Sequence, residues 1–328
     1  MRSSFFRFLL LAVALIVSLA VAVCIGAVPL SLGEIWDGLN GFGDSATIVR
    51  DIRLPRVLLA ALAGGGLAAA GAAYQGLFRN PLADPFIIGS ASGAALGATL
   101  ALIAGASAGY LGWSAVSSGA FLGSVIATAI VYFTAAFGKS MNLTRLLLAG
   151  LAVGSAFNAL AWILLMVSDK SLAFIVSTLL GSLSGRLWPE FWATLPWTTI
   201  GLIGLMTLSR PLDALAAGDA VARGLGMRVR LVVALVMIFA GLITAASVAA
   251  GGVIGFIGLV APYLARPLVG HRHLAVIPAS TMIGMILLVL ADTLARFVRA
   301  PAELPVGVMT ALLAGPFFLL VLRRGPSR

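Results

Sequence analysis

Long apolar runs recur along the whole chain and constrain its fold more than any other feature of the sequence. The hydrocarbon of a bilayer takes a helix of about 20 apolar residues, and lipid offers no partner to an unpaired backbone group. Ten runs are therefore predicted to be membrane-crossing helices: 8–29, 57–77, 86–107, 114–136, 146–168, 192–208, 231–250, 253–269, 274–298 and 305–322. The sequence predicts an all-α, polytopic membrane protein.

The composition excludes a soluble globule. Hydrophobic residues make up 61% of the 328 positions and charged residues only 10%. Soluble proteins draw about 25% of their residues from Asp, Glu, Lys and Arg. No polar segment is long enough to fold by itself, so residues 1–328 are predicted to form a single transmembrane domain. The one cysteine, Cys24, lies inside an apolar run and can form no disulfide within the chain.

The distribution of basic residues predicts the orientation of the chain. Arg2 and Arg7 precede a first run that is too long for the core of a cleaved signal, which favours a retained helix. With ten crossings and both termini in the cytoplasm, the inner segments hold 14 of the 21 Lys and Arg residues, as short cytoplasmic loops usually do. The net charge of +10 is thus attributed to these loops rather than to a nucleic-acid partner.

A shorter apolar run at residues 172–183 could be an eleventh crossing or a short helix outside the membrane. An eleventh crossing would reverse everything after it and place the basic residues of the last three inner segments on the outer side. The sequence therefore predicts a short external helix at 172–183.

Small and polar residues inside the spans give few signs of chemistry. Glycine and alanine at four-residue spacing in the second span predict close helix packing. Asn158 could bond a neighbouring helix or line a path, and Asp292 is predicted to pair with Arg296 one turn later. No Asp or Glu lies in the middle of a span, which argues against a transporter driven by protons or sodium.

Catalytic and metal-binding patterns are lacking in the sequence. His271 and His273 lie two residues apart, on different faces of a helix, and no cysteine or acidic cluster completes a metal shell. There is no nucleophile elbow, paired catalytic carboxylates or HExxH motif. The chain is predicted to be no enzyme and to need no metal or cofactor, so any transport must take its energy from elsewhere.

The inner segment 209–230 is too polar to cross the membrane and too structured for a simple linker. Gly218 interrupts it, and Asp219 with Arg223 forms an i,i+4 pair that opens a short amphipathic helix ending at Gly226. Such a helix could lie on the membrane surface or transmit a push from a soluble partner, and the pattern alone favours neither.

Six segments, in matching order, resemble the permease subunits of type II ABC importers: RLPR (53–56), 75–97, 144–150, 216–226, 251–266 and 302–308. That family carries iron siderophores, haem and cobalamin, and the resemblance covers nearly the whole chain after the first helix. It implies ten helices with an inverted repeat, a location in the bacterial inner membrane, and pairing with a second permease copy, most simply as a homodimer. It also implies two ATPase subunits inside and a periplasmic or lipid-anchored substrate-binding protein outside.

The resemblance assigns roles to three sets of residues. One set consists of arginines that would meet acidic residues of the binding protein and are expected to be exposed: Arg53, Arg56 and Arg296. A second set would form the cytoplasmic gate, with a leucine where family members can have a small hydroxyl residue: Asn80, Leu82, Leu143 and Thr144. The third set would contact the ATPase: Asp219, Arg223, Leu225 and Gly226.

The expected function is that of a permease subunit that moves a ferric siderophore or haem while a partner hydrolyses ATP. A cobalamin importer of the same family is the nearest alternative. An ion-coupled secondary transporter and a membrane-embedded enzyme are alternatives of other classes. Uptake driven by a cation gradient without ATP would identify the former, and a chemically altered product the latter.

Overall fold

The computed structural model is helical, without strands, throughout the residues it describes: 2–26, 28–105, 109, 112–136, 143–167, 180–298 and 302–323. The helices are α1 (Arg2–Cys24), α2 (Leu32–Asn40), α3 (Leu54–Phe78), α4 (Ser90–Ile103), α5 (Ala115–Ala136), α6 (Leu143–Val167), α7 (Trp188–Thr207), α8 (Ser209–Ala216), α9 (Asp219–Gly224), α10 (Val229–Gly251), α11 (Ile257–Val269), α12 (His273–Phe297) and α13 (Val306–Arg323). A π-helical turn, Thr47–Arg53, precedes α3, and a 3₁₀ turn, Pro85–Ile88, precedes α4.

Helices occur at all ten predicted crossings. Within the described residues, six helices are long and apolar enough to cross a bilayer, and the bent pair of α7 and α8 adds a seventh. Three shorter apolar helices, α4, α11 and the first part of α13, occupy the other predicted crossings. The predicted starts of two spans, 86 and 253, are wrong: a 3₁₀ turn precedes α4, and residues 252–256 before α11 are not helical.

The predicted external helix at 172–183 falls mostly on residues 168–179, which lie outside the described residues. Residues 180–183 are described, and the prediction that the helix extends through them is wrong, because they form a turn and a non-helical segment. The N–H of Ser182 donates to the carbonyl of Gly251 at 2.8 Å, and the side chain of Leu183 is buried. This segment therefore packs against the end of α10.

Helix α3 lies at the centre of the bundle, and its small residues explain why. A Cβ atom built on Gly64 would overlap the carbonyl oxygen of Gly284 in α12, and one built on Gly71 would overlap that of Gly258 in α11. The backbones of the three helices are therefore in direct contact, with no layer of side chains between them. The close packing predicted from the glycine and alanine spacing is confirmed.

We expect Gly71→Val to prevent folding of the permease, because the Gly258 oxygen belongs to the backbone and cannot move aside as a flexible side chain can. The yield of monodisperse protein after detergent extraction measures this effect. Gly315→Val is the matched control, since Gly315 also lies in an apolar helix but has no neighbour where its Cβ would be. Equal yields of the two variants would contradict the packing argument.

The segments that precede the short helices α4 and α11 make corresponding contacts in the two halves of the chain. Gly150 of α6 packs against the carbonyl of Ile87, just before α4, and Gly307 of α13 packs against that of Val253, just before α11. In each half a glycine of the last span thus contacts the segment that leads into the third span. This correspondence agrees with the inverted repeat expected from the family resemblance.

A single carboxylate joins the two entry segments. The Asp84 side chain accepts from the N–H of Phe86 at 2.9 Å and from the N–H of Phe256, which lies directly before α11. Phe256 has a φ of 70°, an uncommon left-handed conformation for a non-glycine residue. The two halves are therefore bonded to each other where their short helices begin.

Candidate functional site: the coupling segment and a buried charge cluster

Residues 209–230, which we call the coupling segment, fold as two short helices, and the amphipathic helix predicted there is confirmed. Helix α8 turns away from α7 by 56°, and its Leu212 and Leu215 side chains are buried in the core. Gly218 then adopts a φ of 126°, which side-chain-bearing residues rarely do, and α9 begins at Asp219. The segment is thus anchored through α8 while α9 projects from it.

Helix α9 and the turn that follows it carry the residues predicted to contact an ATPase. Leu225 is 72% exposed and Val221 48% exposed, and Arg223 and Gly226 are also exposed. Asp219 is partly buried. An exposed leucine and valine next to an arginine form a small amphipathic surface that a membrane or a protein partner could cover.

Arg79 connects the coupling segment to α3. It is the C-cap residue of α3, in a left-handed conformation with φ of 50°. Its Nε donates to the carbonyl of Leu215 at 2.7 Å, and its guanidinium pairs with the Asp219 carboxylate. The predicted pair of Asp219 and Arg223 is present but longer, at 3.8 Å, so Arg79 is the closer partner.

Asp213 and His273 connect the same segment to α12. The Asp213 carboxylate accepts from the backbone N–H of His273 at 2.9 Å and lies 2.6 Å from its Nδ1, to which we assign the ring proton. His273 is the first residue of α12, and its buried ring packs against Gly76 of α3. The coupling segment is therefore bonded to the C-terminal end of α3 and to the N-terminal end of α12. These are the two helices that contact each other through Gly64 and Gly284.

A cluster of buried charges lies at the other end of α3 and α12. Arg56 forms ion pairs with Asp292 and Glu303, each with an N···O distance of 2.8 Å. Nε of Arg296 lies 3.1 Å from the second oxygen of Asp292, which confirms the predicted i,i+4 pair. Two arginines and two carboxylates from three segments thus compensate one another, with Arg56, Asp292 and Arg296 buried and Glu303 partly exposed.

The exposure expected for the three docking arginines is wrong. Arg53, Arg56 and Arg296 are only 4%, 7% and 4% exposed. The local sequence around an arginine at the end of an apolar run does not show whether its side chain faces solvent or is buried against a distant part of the chain. Among the described residues of this region, Arg50 is an exposed arginine.

Arg53 and Arg296 donate hydrogen bonds to the carbonyl groups at the C-terminal end of α1. The last carbonyls of a helix have no partner within the helix, and guanidinium groups can satisfy them. Arg53 donates at 2.9 and 3.0 Å and Arg296 at 3.1 and 2.9 Å to carbonyls there. The acceptors are four consecutive residues: Ala22, Val23, Cys24 and Ile25. Both arginines therefore fix α1 to the bundle.

The predicted gate residues lie at the surface of the single chain. Asn80 and Leu82 are exposed, and the Asn80 side chain accepts from the N–H of Leu82 at 2.9 Å, which shapes the loop after α3. Thr144 is exposed and Leu143 is partly buried at the start of α6. Their role as a gate stays a prediction.

Helix α6 has a broad apolar face that the other described residues leave exposed. Leu151 is 68% and Met166 86% exposed, and Asn158 lies exposed between them. An amide inside a membrane span is costly unless it faces another chain or a path containing water. Among the described residues, no group of three or more His, Cys, Asp and Glu side chains could hold a metal ion.

Apolar helices packed closely around a central helix, with a short polar segment fixed to its end, are the architecture of a membrane permease. Residues 12–324 match the FecCD transport family, and the chain belongs to that family. It is 40% identical to the hemin transport system permease HmuU of Yersinia pestis, over 92% of this chain and 91% of that protein. It is 38% identical to the Fe(3+)-citrate import system permease YfmE of Bacillus subtilis strain 168, over 96% and 94%.

The fold matches that of a solved relative. A metal-chelate type ABC transporter in an inward-facing conformation aligns with a TM-score of 0.86 and 31% identity, over 96% of this chain and 97% of that one. The resemblance drawn from the six sequence segments is thus confirmed. The chain is the transport permease of an ABC importer rather than a catalytic enzyme.

Proposed function

We propose that two copies of this chain form the membrane path of an importer for a ferric chelate, such as a ferric siderophore or haem, in the bacterial inner membrane. Two ATPase subunits would bind the coupling segments in the cytoplasm, where both termini also lie. A substrate-binding protein would deliver the cargo from the other side. The observation that carries this proposal is the double attachment of the coupling segment to α3 and α12.

The attachment suits a segment that receives force from a partner. A helix that merely rested on the membrane would need only an apolar face towards lipid. Here Arg79 and Asp213 add charge-assisted hydrogen bonds to the ends of two core helices. A push on α9 at Leu225 would therefore reach α3 and α12. We place the ATPase contact at Asp219, Arg223, Leu225 and Gly226.

The uncovered face of α6 supports pairing with a second copy. Its apolar residues could be covered by lipid, but Asn158 could not be without cost. The start of the same helix carries Leu143 and Thr144, and we propose that they form the gate with Asn80 and Leu82. Helix α6 would then line a path between two identical chains.

The iron chelate is inferred from the names of relatives. The two permeases described above serve haem and ferric citrate, and the solved relative is of the metal-chelate type. The binding-protein contact at Arg53, Arg56 and Arg296 also stays a proposal. Because these arginines are buried, an acidic partner would have to compete with Glu303 for Arg56, or bind beside the cluster at Arg50.

Orientation and energy source can be tested with the full chain. With Cys24→Ser, which removes the one native cysteine, Leu225→Cys is expected to react with a membrane-impermeant maleimide only when the cytoplasmic side is accessible. Reconstituted with its ATPase and binding protein, the permease should take up iron-labelled siderophore or haem only with ATP. Labelling of Leu225→Cys from outside, or uptake driven by a cation gradient without ATP, would contradict the proposal. Uptake of cobalamin alone would leave the importer class intact but change its cargo.

A further inference from the structure

An apolar groove runs between α5 and α10 on the outer surface of the bundle. Its volume is about 240 Å³, and no charged residue lines it. Phe133 is 64% exposed and Ile238 58% exposed, so the groove opens towards the surroundings of the chain. The lining residues that matter here are Ala129, Tyr132 and Phe133 of α5 and Ala234, Ile238 and Gly241 of α10.

The two helices are in contact at both ends of this groove. At one end Gly241 lies against Thr128, where an added Cβ would come within 3.0 Å of the threonine Cγ2. At the other end Arg230 donates to the carbonyl of Ala136 at 3.4 Å. From Arg230 to Gly241 the helix rises about 16 Å, close to the thickness of the hydrocarbon in one leaflet, about 15 Å.

In the part of the chain that the structure describes, positive charge lies at one end of the groove. Arg230, Ala234 and Ile238 follow one another at four-residue spacing, so the arginine continues the stripe of α10 that lines the groove. Arg228, the N-cap residue of α10, is exposed, and this helix end has neither a side-chain cap nor an acidic residue in its first turn. The uncapped end of a helix is itself positive.

We propose that this groove binds an anionic phospholipid, with one acyl chain against Ala234 and Ile238 and the phosphate at Arg228 and Arg230. Two observations favour a lipid over an apolar protein helix as the occupant. Together with Arg230 the groove is about as long as one leaflet, and the charged residues that the structure describes beside it, Arg228 and Arg230, are both basic and lie at the same end. The inference rests on the proposed orientation, which places Arg228 and Arg230 at the cytoplasmic leaflet, where anionic headgroups face the protein.

Native mass spectrometry of the full chain in neutral detergent tests this site. Phosphatidylglycerol is expected to bind about tenfold more tightly than phosphatidylcholine with the same acyl chains, because two arginines lie at the headgroup position. The double variant Arg228→Gln with Arg230→Gln should lose this preference, and Ala234→Phe, which fills the groove, should weaken binding of both lipids. Arg272→Gln is the control for charge, because Arg272 is also an exposed N-cap arginine. Ile126→Phe, at an exposed position of α5 outside the groove, is the control for size.

Several outcomes would overturn the proposal. These are equal binding of the two lipids, an unchanged preference in the double arginine variant, and displacement of the lipid by glycerol phosphate, which has no acyl chain. Arg228 and Arg230 are exposed, so their replacement does not endanger the fold and the test does not depend on Ala234→Phe being stable. The measurement needs neither transport nor ATP. A failure of the proposed import function would therefore appear in the labelling and uptake experiments and not in this one.

Discussion

Arg79→Gln is expected to lower ATP-driven uptake at least about tenfold while the permease still assembles with its ATPase. The substitution removes the ion pair with Asp219, at the start of α9, and the bond to the Leu215 carbonyl of α8, which together hold the coupling segment to α3. The Arg79 and Asp219 side chains are 36% and 32% exposed, so their ion pair contributes at most about 1 kcal/mol. The charged hydrogen bond to the Leu215 carbonyl contributes about 1.5–3 kcal/mol, and about 1.4 kcal/mol corresponds to a factor of ten. Without them the coupling segment can move without displacing α3. The measurement is the ratio of substrate transported to ATP hydrolysed in proteoliposomes.

A charge exchange separates this effect from simple damage. Asp219→Asn alone should reduce the same ratio, whereas Arg79→Asp combined with Asp219→Arg should restore part of it, because the pair is re-formed in the opposite direction. Aspartate tolerates the left-handed backbone of position 79 better than most residues. Two results would show that this contact does not couple the ATPase to α3. One is transport by Arg79→Gln at the original rate, and the other is a transport-to-hydrolysis ratio of the exchanged pair no higher than that of either single variant.

The second large effect is expected at the buried charge cluster. Among the described residues, Arg56→Met leaves Asp292, which is 1% exposed, paired with Arg296 alone, and it removes the cation that is paired with Glu303. Removing one partner of a buried ion pair costs about 3–5 kcal/mol. We expect the midpoint of thermal unfolding in detergent to fall by about 5 °C or more.

Arg50→Met provides the control for Arg56→Met. Arg50 lies six positions before Arg56 and is exposed, so its substitution removes no buried charge. The combination of Arg56→Met with Asp292→Asn should destabilise the chain less than the sum of the two single variants, since residues in one network do not act additively. A midpoint for Arg56→Met equal to that of Arg50→Met would show that the cluster contributes nothing to stability.

The number and order of the spans could be predicted because each one depends only on its own residues. A run of about 20 apolar residues must form a helix in lipid whatever its neighbours are. The start of α9 could be predicted for the same reason, because Gly218, Asp219 and Arg223 are close in sequence. The predicted starts of the third and eighth spans are wrong because hydropathy continues through the breaks before α4 and α11, which Pro85 and the glycines at 251, 252 and 255 mark.

The contacts that define the candidate site could not be predicted, because each one joins distant parts of the chain. Arg79 is 140 residues from Asp219, Asp213 is 60 from His273, and Arg56 is 247 from Glu303. In the sequence, His273 stands beside His271 as a metal-ligand pattern that lacks further ligands, and nothing local indicates its contact with Asp213. One signal could have drawn attention to it: Asp213 and Asp219 are two acidic residues in an inner segment that otherwise carries basic charge.

The direct backbone contact of Gly64 with Gly284 has a mechanical consequence for transport. Flexible side chains between two helices can absorb a small displacement by changing rotamer. At the contact of Gly64 with Gly284, no side chain lies between α3 and α12. Over the 25 residues of α3, about 37 Å, the pair should move as one rigid body. Alternating access must then come from rearrangement of less constrained helices around it, with α6 the foremost candidate.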